Sequence, residues 1–133
     1  MKTKEELLRI YSSYLPYELM VKKKFGRYSP TKDSVLEIDD LKTFSMSKIF
    51  RPYLFSMDYL TKEIEHKGER FVPLHKILEE YCFDLSKMDS DEILSYAESL
   101  IEVDMSVTTY NLLLDWHFNV FNLSDSEYIK KET

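Results

Sequence analysis

Glycine is almost missing from this sequence. Gly26 and Gly68 alone serve 133 residues, too few for the repeated tight turns of a barrel or sandwich. Cysteine is scarcer still. Cys82 has no second cysteine to pair with, so no disulfide forms within the chain, and a reducing, intracellular setting is expected. Its place at an apolar helix end suits a small buried hydrophobe, since a nucleophile needs a nearby base. Long apolar runs are absent: no stretch reaches the roughly 18 uncharged residues of a membrane span. The opening MKTKEELL carries no apolar region of signal-peptide type. Basic charge is in deficit, with 18 Lys and Arg against 24 Asp and Glu and a net charge of −6. That balance disfavours non-specific binding to nucleic acid. A Gly-rich phosphate loop, a nucleophile elbow and paired zinc ligands are all lacking. No catalytic, cofactor-binding or metal residue is therefore assigned, and no cofactor is expected.

Aromatic residues are plentiful: ten Tyr, eight Phe and one Trp promise large buried area in a chain of single-domain length. One α+β domain is expected over residues 1–123, followed by a polar tail, 124–133, that should fray. The organising stretch is Thr109–Leu123, TYNLLLDWHFNVFNL. At about 100° per residue its Asn111, Asp115, Asn119 and Asn122 fall in one narrow arc, while apolar residues fill the rest. A helix apolar over so much of its circumference belongs inside the domain. Thr108 or Thr109 is its expected N-cap.

Before it, Thr3–Leu15 reads as a helix, with capping-box spacing between Thr3 and Glu6 and a stop at Pro16. Tyr17–Lys23 and Val35–Leu41 alternate as half-buried strands, Phe25–Pro30 turns between them, and Phe44–Phe50 is a third strand candidate. Arg51-Pro52 should break the strand pattern. Ser56 caps a short helix over Met57–Ile64. Lys67-Gly68 is a turn and Arg70–Val72 an extended piece. Pro73 opens a helix with Leu74, Ile77, Leu78 and Tyr81 on one face. Phe83–Met88 connects to a helix capped by Ser90, with Ile93, Leu94, Ala97, Leu100 and Ile101 on its apolar side. The expected architecture is a small antiparallel sheet of two to three strands packed with a helical C-terminal half around one central helix.

Few residues invite a chemical role. His117, amid the apolar arc, reads as a neutral core histidine bonded to a carbonyl or carboxylate. Trp116 can offer its indole N–H to a buried acceptor. The run Glu63, Glu65, His66, Glu69, His75, Glu79 is rich in ligand types, but its spacing reads as a solvated charged surface. Asp40-Leu41-Lys42 and Glu65-His66-Lys67 echo the acid-x-Lys triplets of metal-dependent nucleases. A small hydrolase using Asp33, Glu37, Asp40 and Lys42 is thus one alternative. Candidate interaction surfaces are the polar stripe Asn111, Asp115, Asn119, Asn122 and the basic cluster Lys22, Lys23, Lys24, Arg27.

The runs RPYLFSMDYLTKEIEHKGERFVPL (Arg51–Leu74), LLLDWHFNVFNL (Leu112–Leu123) and YLPYEL (Tyr14–Leu19) resemble small uncharacterised proteins of phages, prophages and mobile elements of gut bacteria. The resemblance implies a genomic context and no activity. Together with the acidic charge and the tyrosines, it leads to an expected non-enzymatic accessory protein in the host cytoplasm. Such a protein binds a host or phage protein, for instance as an acidic inhibitor of a nucleic-acid-handling or defence enzyme. A structural or virion-associated oligomer is the other alternative.

Overall fold

The computed structural model describes residues 3–25, 32–42, 48–80, 84–102 and 106–132, and the counts below refer to these. The protein is α+β, with five α-helices, a mixed four-stranded sheet and a two-stranded sheet. The expected turn with Gly26 and Arg27, the residues Phe44, Tyr81, Cys82 and Phe83, and the side chains of Ala97, Leu100 and Ile101 lie outside the described residues.

Helix α1 (Lys4–Tyr14) begins where the capping spacing places it: Thr3 Oγ1 accepts the Glu6 N–H at 3.2 Å. It ends in a single 3-10 turn, Leu15–Tyr17, built on Pro16. Strand β1 (Met20–Phe25) follows, with Val21 and Lys23 directed inward and Met20 outward. Antiparallel to it on either side run β2 (Lys32–Val35) and β3 (Lys48–Leu54), with Met20 opposite Val35 and Lys22 opposite Arg51.

The strand expected over Val35–Leu41 stops at Val35. Helix α2 (Ile38–Lys42) replaces the rest of it. The cause is Asp40, which is turned inward to Lys23 and whose carboxylate reaches back to the Glu37 N–H at 2.9 Å, half of a capping box. Leu36 is consequently buried while Ile38 faces out. Arg51 and Pro52 lie within β3 and do not break it. Proline is tolerated there because the ladder on the other side of β3 starts only at Tyr53.

A 3-10 turn, Met57–Thr61, stands where a helix to Ile64 was expected, capped by Ser56. Ile64 opens β4 (Ile64–His66), which pairs with β5 (Glu69–Phe71). Lys67 and Gly68 connect them with φ of 51° and 81°. Positive φ at both central residues is the requirement of a two-residue hairpin whose twist matches its strands. Helix α3 (Pro73–Glu80) buries Leu74, Ile77 and Leu78. The cap of α4 (Ser90–Glu102) is Asp89 rather than Ser90, since Asp89 Oδ1 accepts the Glu92 N–H at 2.8 Å.

Helix α5 (Val107–Asp115) is capped by Ser106 and ends eight residues before Leu123. Its apolar period continues, so periodicity is not what stops it. The His117 N–H bonds to Leu114 O at 3.1 Å and the Phe118 N–H to Leu113 O at 2.9 Å. With His117 at φ 62°, this is a Schellman termination carrying histidine where glycine is usual. Phe118 then forms a bridge beside Phe55, beyond the end of β3.

The tail does not fray throughout. Tyr128 is buried, and β6 (Ile129–Lys130) joins β3 in parallel, giving the order β2-β1-β3-β6. The sheet is therefore mixed and four-stranded, where two to three antiparallel strands were expected. Tyr14, Leu19, Val21, Leu54, Leu114, Leu123 and Tyr128 meet in one buried cluster. Phe55, Leu60, Ile64, Ile77, Leu113, Trp116 and Phe118 form a second. Leu113 and Leu114 thus lead from α5 into two cores. Each aliphatic side chain buried this fully contributes about 1.5–3 kcal/mol.

Candidate functional site

A cavity of about 490 Å³ opens between the β4–β5 hairpin, α3 and the end of α5. The hairpin turn at Lys67-Gly68 sets its geometry by bringing His66, Lys67, Glu69 and Phe71 round to face α3. Its apolar wall is Phe71, Leu112 and Trp116, with the Phe71 and Trp116 rings 5.0 Å apart at 54°. Lys76 pairs with Glu69, and its ammonium lies 4.4 Å from the Phe71 ring centre. Lys67 Nζ lies 3.6 Å from Asp115 Oδ1. Glu79 and Glu80 complete the rim from the last turn of α3.

Behind this wall lies a buried basic cluster. His117 Nε2 lies 2.7 Å from Tyr17 O. A carbonyl only accepts, so Nε2 carries the proton and Nδ1 is left to face Lys131 Nζ at 3.4 Å. Burial pushes the His117 pKa down to about 4, with the Tyr17 carbonyl opposing and Lys131 assisting. His66 is shifted down as well, first by burial and then by Lys131. Lys131 sits over the Phe55 ring at 5.0 Å, and burial lowers its pKa too. Tyr14, whose hydroxyl donates to Phe118 O, and Tyr11 are both raised by burial, Tyr11 to about 12.

Among the described residues, the sequence-derived candidates do not assemble into one surface. Asn111 is exposed on α5 and Asp115 is its last residue, on the cavity rim. Beyond the helix end the stripe dissolves. Asn119 is buried and clasps Leu123 through both N–H and C=O, at 2.8 and 3.0 Å. Asn122 is exposed at φ 53°. Strand alternation divides the basic cluster. Lys22 and Lys24 share the outer face of β1, whereas Lys23 points inward to Asp40 Oδ2 at 2.5 Å. Among the hydrolase candidates, Asp40 is thus held by Lys23 and the Glu37 N–H, and Asp33 accepts from the Tyr53 hydroxyl at 2.9 Å. Glu37 and Lys42 are exposed. Among the described residues, no group of three or more His, Cys, Asp or Glu is placed to hold a metal ion.

Sequence reading missed the cavity because its walls come from three segments. A partial signal existed: His66, Glu69 and Glu79 belong to the ligand-rich run, and Lys67-Gly68 marks the turn that folds the run back on itself. Trp116 is buried in the cavity wall. No helix among the described residues is long and apolar enough to cross a membrane. No protein-family model matches this chain, and neither a curated protein nor a solved structure is found to match it.

Proposed function

We propose that this chain is a non-enzymatic accessory protein of a phage or mobile element that binds a host or phage protein in the cytoplasm. One observation carries the binding part of the reading, the cavity beside Trp116. Its volume of about 490 Å³ falls in the range of pockets that receive ligands or partner side chains, roughly 300–1,000 Å³. It joins an aromatic wall to a charged rim, the combination in which interface anchors are found. Its lining carries four carboxylates, Glu69, Glu79, Glu80 and Asp115, against two ammonium groups, Lys67 and Lys76. The net acidity matches that of the whole chain, so a basic partner is favoured, as a nucleic-acid-handling enzyme would be. The phage or mobile-element context rests on the three sequence runs alone.

The test is a pull-down from bacterial lysate with the tagged chain, at low and moderate salt, read by mass spectrometry. One stoichiometric protein, retained less at higher salt and lost with a Glu79→Lys/Glu80→Lys variant, is the expected result. Recovery of the chain alone at both salts overturns the reading.

A further inference from the structure

We infer that the cavity is a receptor for an arginine side chain presented by the partner protein, an inference that rests on the protein-binding reading above. Glu79 and Glu80 are exposed and, among the described residues, form no ion pair. They stand on the last turn of α3, which contains no basic residue. A helix C-terminus already carries partial negative charge, so two carboxylates there repel it and each other. Among the described residues no cation relieves this, because Lys76 is engaged by Glu69 and the Phe71 ring.

A second observation comes from the opposite wall. The His66 side chain is more than nine-tenths buried there, and its Nε2 makes no hydrogen bond. Asp115 Oδ1, the nearest carboxylate oxygen, is 4.0 Å away, beyond hydrogen-bond range, and its other cation, Lys67, stands off at 3.6 Å. The Asp115 carboxylate, two-fifths exposed, is therefore free to accept a further donor from the cavity side. The cavity thus asks for a ligand that is cationic, rich in N–H groups and flat enough to fit beside the half-buried Phe71 ring.

Guanidinium meets all three demands. It offers five N–H donors in one plane, pairs with carboxylates in bidentate fashion and stacks on aromatic faces. An ammonium is a compact point charge without that planar fork, and Lys76 already holds one over the Phe71 ring. An anionic ligand meets net repulsion from the lining.

Trp116 is the sole tryptophan, so its fluorescence reports on the cavity directly. The experiment titrates the full chain with three short peptides that differ at one central residue: arginine, lysine, or citrulline, the neutral isostere of arginine. The arginine peptide is expected to change the Trp116 emission saturably, the lysine peptide to bind several-fold more weakly, and citrulline to have no effect. A Glu79→Gln/Glu80→Gln variant, altered only at exposed positions, should lose about tenfold in affinity while its melting temperature stays the same or rises, because the repulsion at the helix end is removed. Equal responses to arginine and citrulline, or a variant that binds as the wild type does, overturn the inference. The two readings fail separately. A lysate partner still held by Glu79→Gln/Glu80→Gln removes the arginine site and leaves protein binding standing. An arginine response without any lysate partner supports the site and removes the protein-binding reading.

Discussion

The rings of His66 and His117 meet edge to face, 4.9 Å between centroids and 88° between planes. One stands at the end of the small hairpin and the other just past the end of α5. Their contact joins two segments that are 51 positions apart in the sequence, and the Lys131 ammonium closes the group from the C-terminal side. Neither imidazole can take a proton there without facing a fixed cation.

That arrangement fixes the sign of a pH effect. His117 binds a proton near pH 4 when folded, against 6.5 in its ordinary state. Its stabilising contribution is complete above pH 6.5 and is lost as pH falls from there toward 4. The full loss is about 3 kcal/mol. His66 acts in the same direction. Replacing His117 by Gln keeps an N–H for Tyr17 O and removes the titration. Urea unfolding at pH 7.5 and pH 5 should show a smaller drop for the variant than for wild type. Equal drops would mean that His117 is not the titrating group.

The Lys23–Asp40 pair is buried on both sides. Lys23→Met leaves a carboxylate in a site with little water, and the expected cost is about 3–5 kcal/mol. Lys23→Met/Asp40→Leu removes both charges and should cost clearly less than the two single changes added together. A double-mutant cycle with no coupling would rule out a direct interaction between them.

Residues 128–132 are structural. Tyr128 is buried, Arg51 donates to its carbonyl at 3.2 Å, and the Lys131 N–H bonds to Leu54 O at 2.8 Å. Tyr128→Ala should cost about 3–5 kcal/mol, in the manner of other large aromatic truncations in cores. Thermal melting checks this, and a variant that melts with wild type would show that the last strand is dispensable.

Two asparagines of the sequence stripe should behave in opposite ways. Asn119→Ala strips the Leu123 N–H and C=O of their buried partners, at about 1–3 kcal/mol. Asn111→Ala, at an exposed helix position, should stay within about 0.5 kcal/mol of wild type. Similar losses at both sites would restore the continuous stripe that periodicity suggests.

Local chemistry was legible wherever one segment decides its own structure. Thr3 and Glu6 set the start of α1, Pro16 its end, Pro73 the start of α3, and Lys67-Gly68 the hairpin turn. The alternation expected over Tyr17–Lys23 gave the inward Val21 and outward Met20 of β1, although the strand starts only at Met20, after a 3-10 turn that holds Tyr17 and a left-handed Glu18. The neutral core role of His117 also followed from its apolar neighbours, and its bond to Tyr17 O is of the kind expected.

Composition and local pattern by themselves determined an α+β domain with an aromatic core and these helix starts, because caps, prolines and alternation act over a few residues. Tertiary structure decided where α5 stops, where β2 gives way to α2, that the last residues enter the sheet, and that a cavity exists. The reason in each case is a partner distant in sequence or a backbone state that no residue type announces. His117 adopts a left-handed φ that glycine normally marks, and Tyr17 O and the Phe55 N–H hold it there. Asp40 turns a strand pattern into a helix with Lys23 as its buried counter-ion. The cavity walls come together only once α3, the hairpin and α5 have packed.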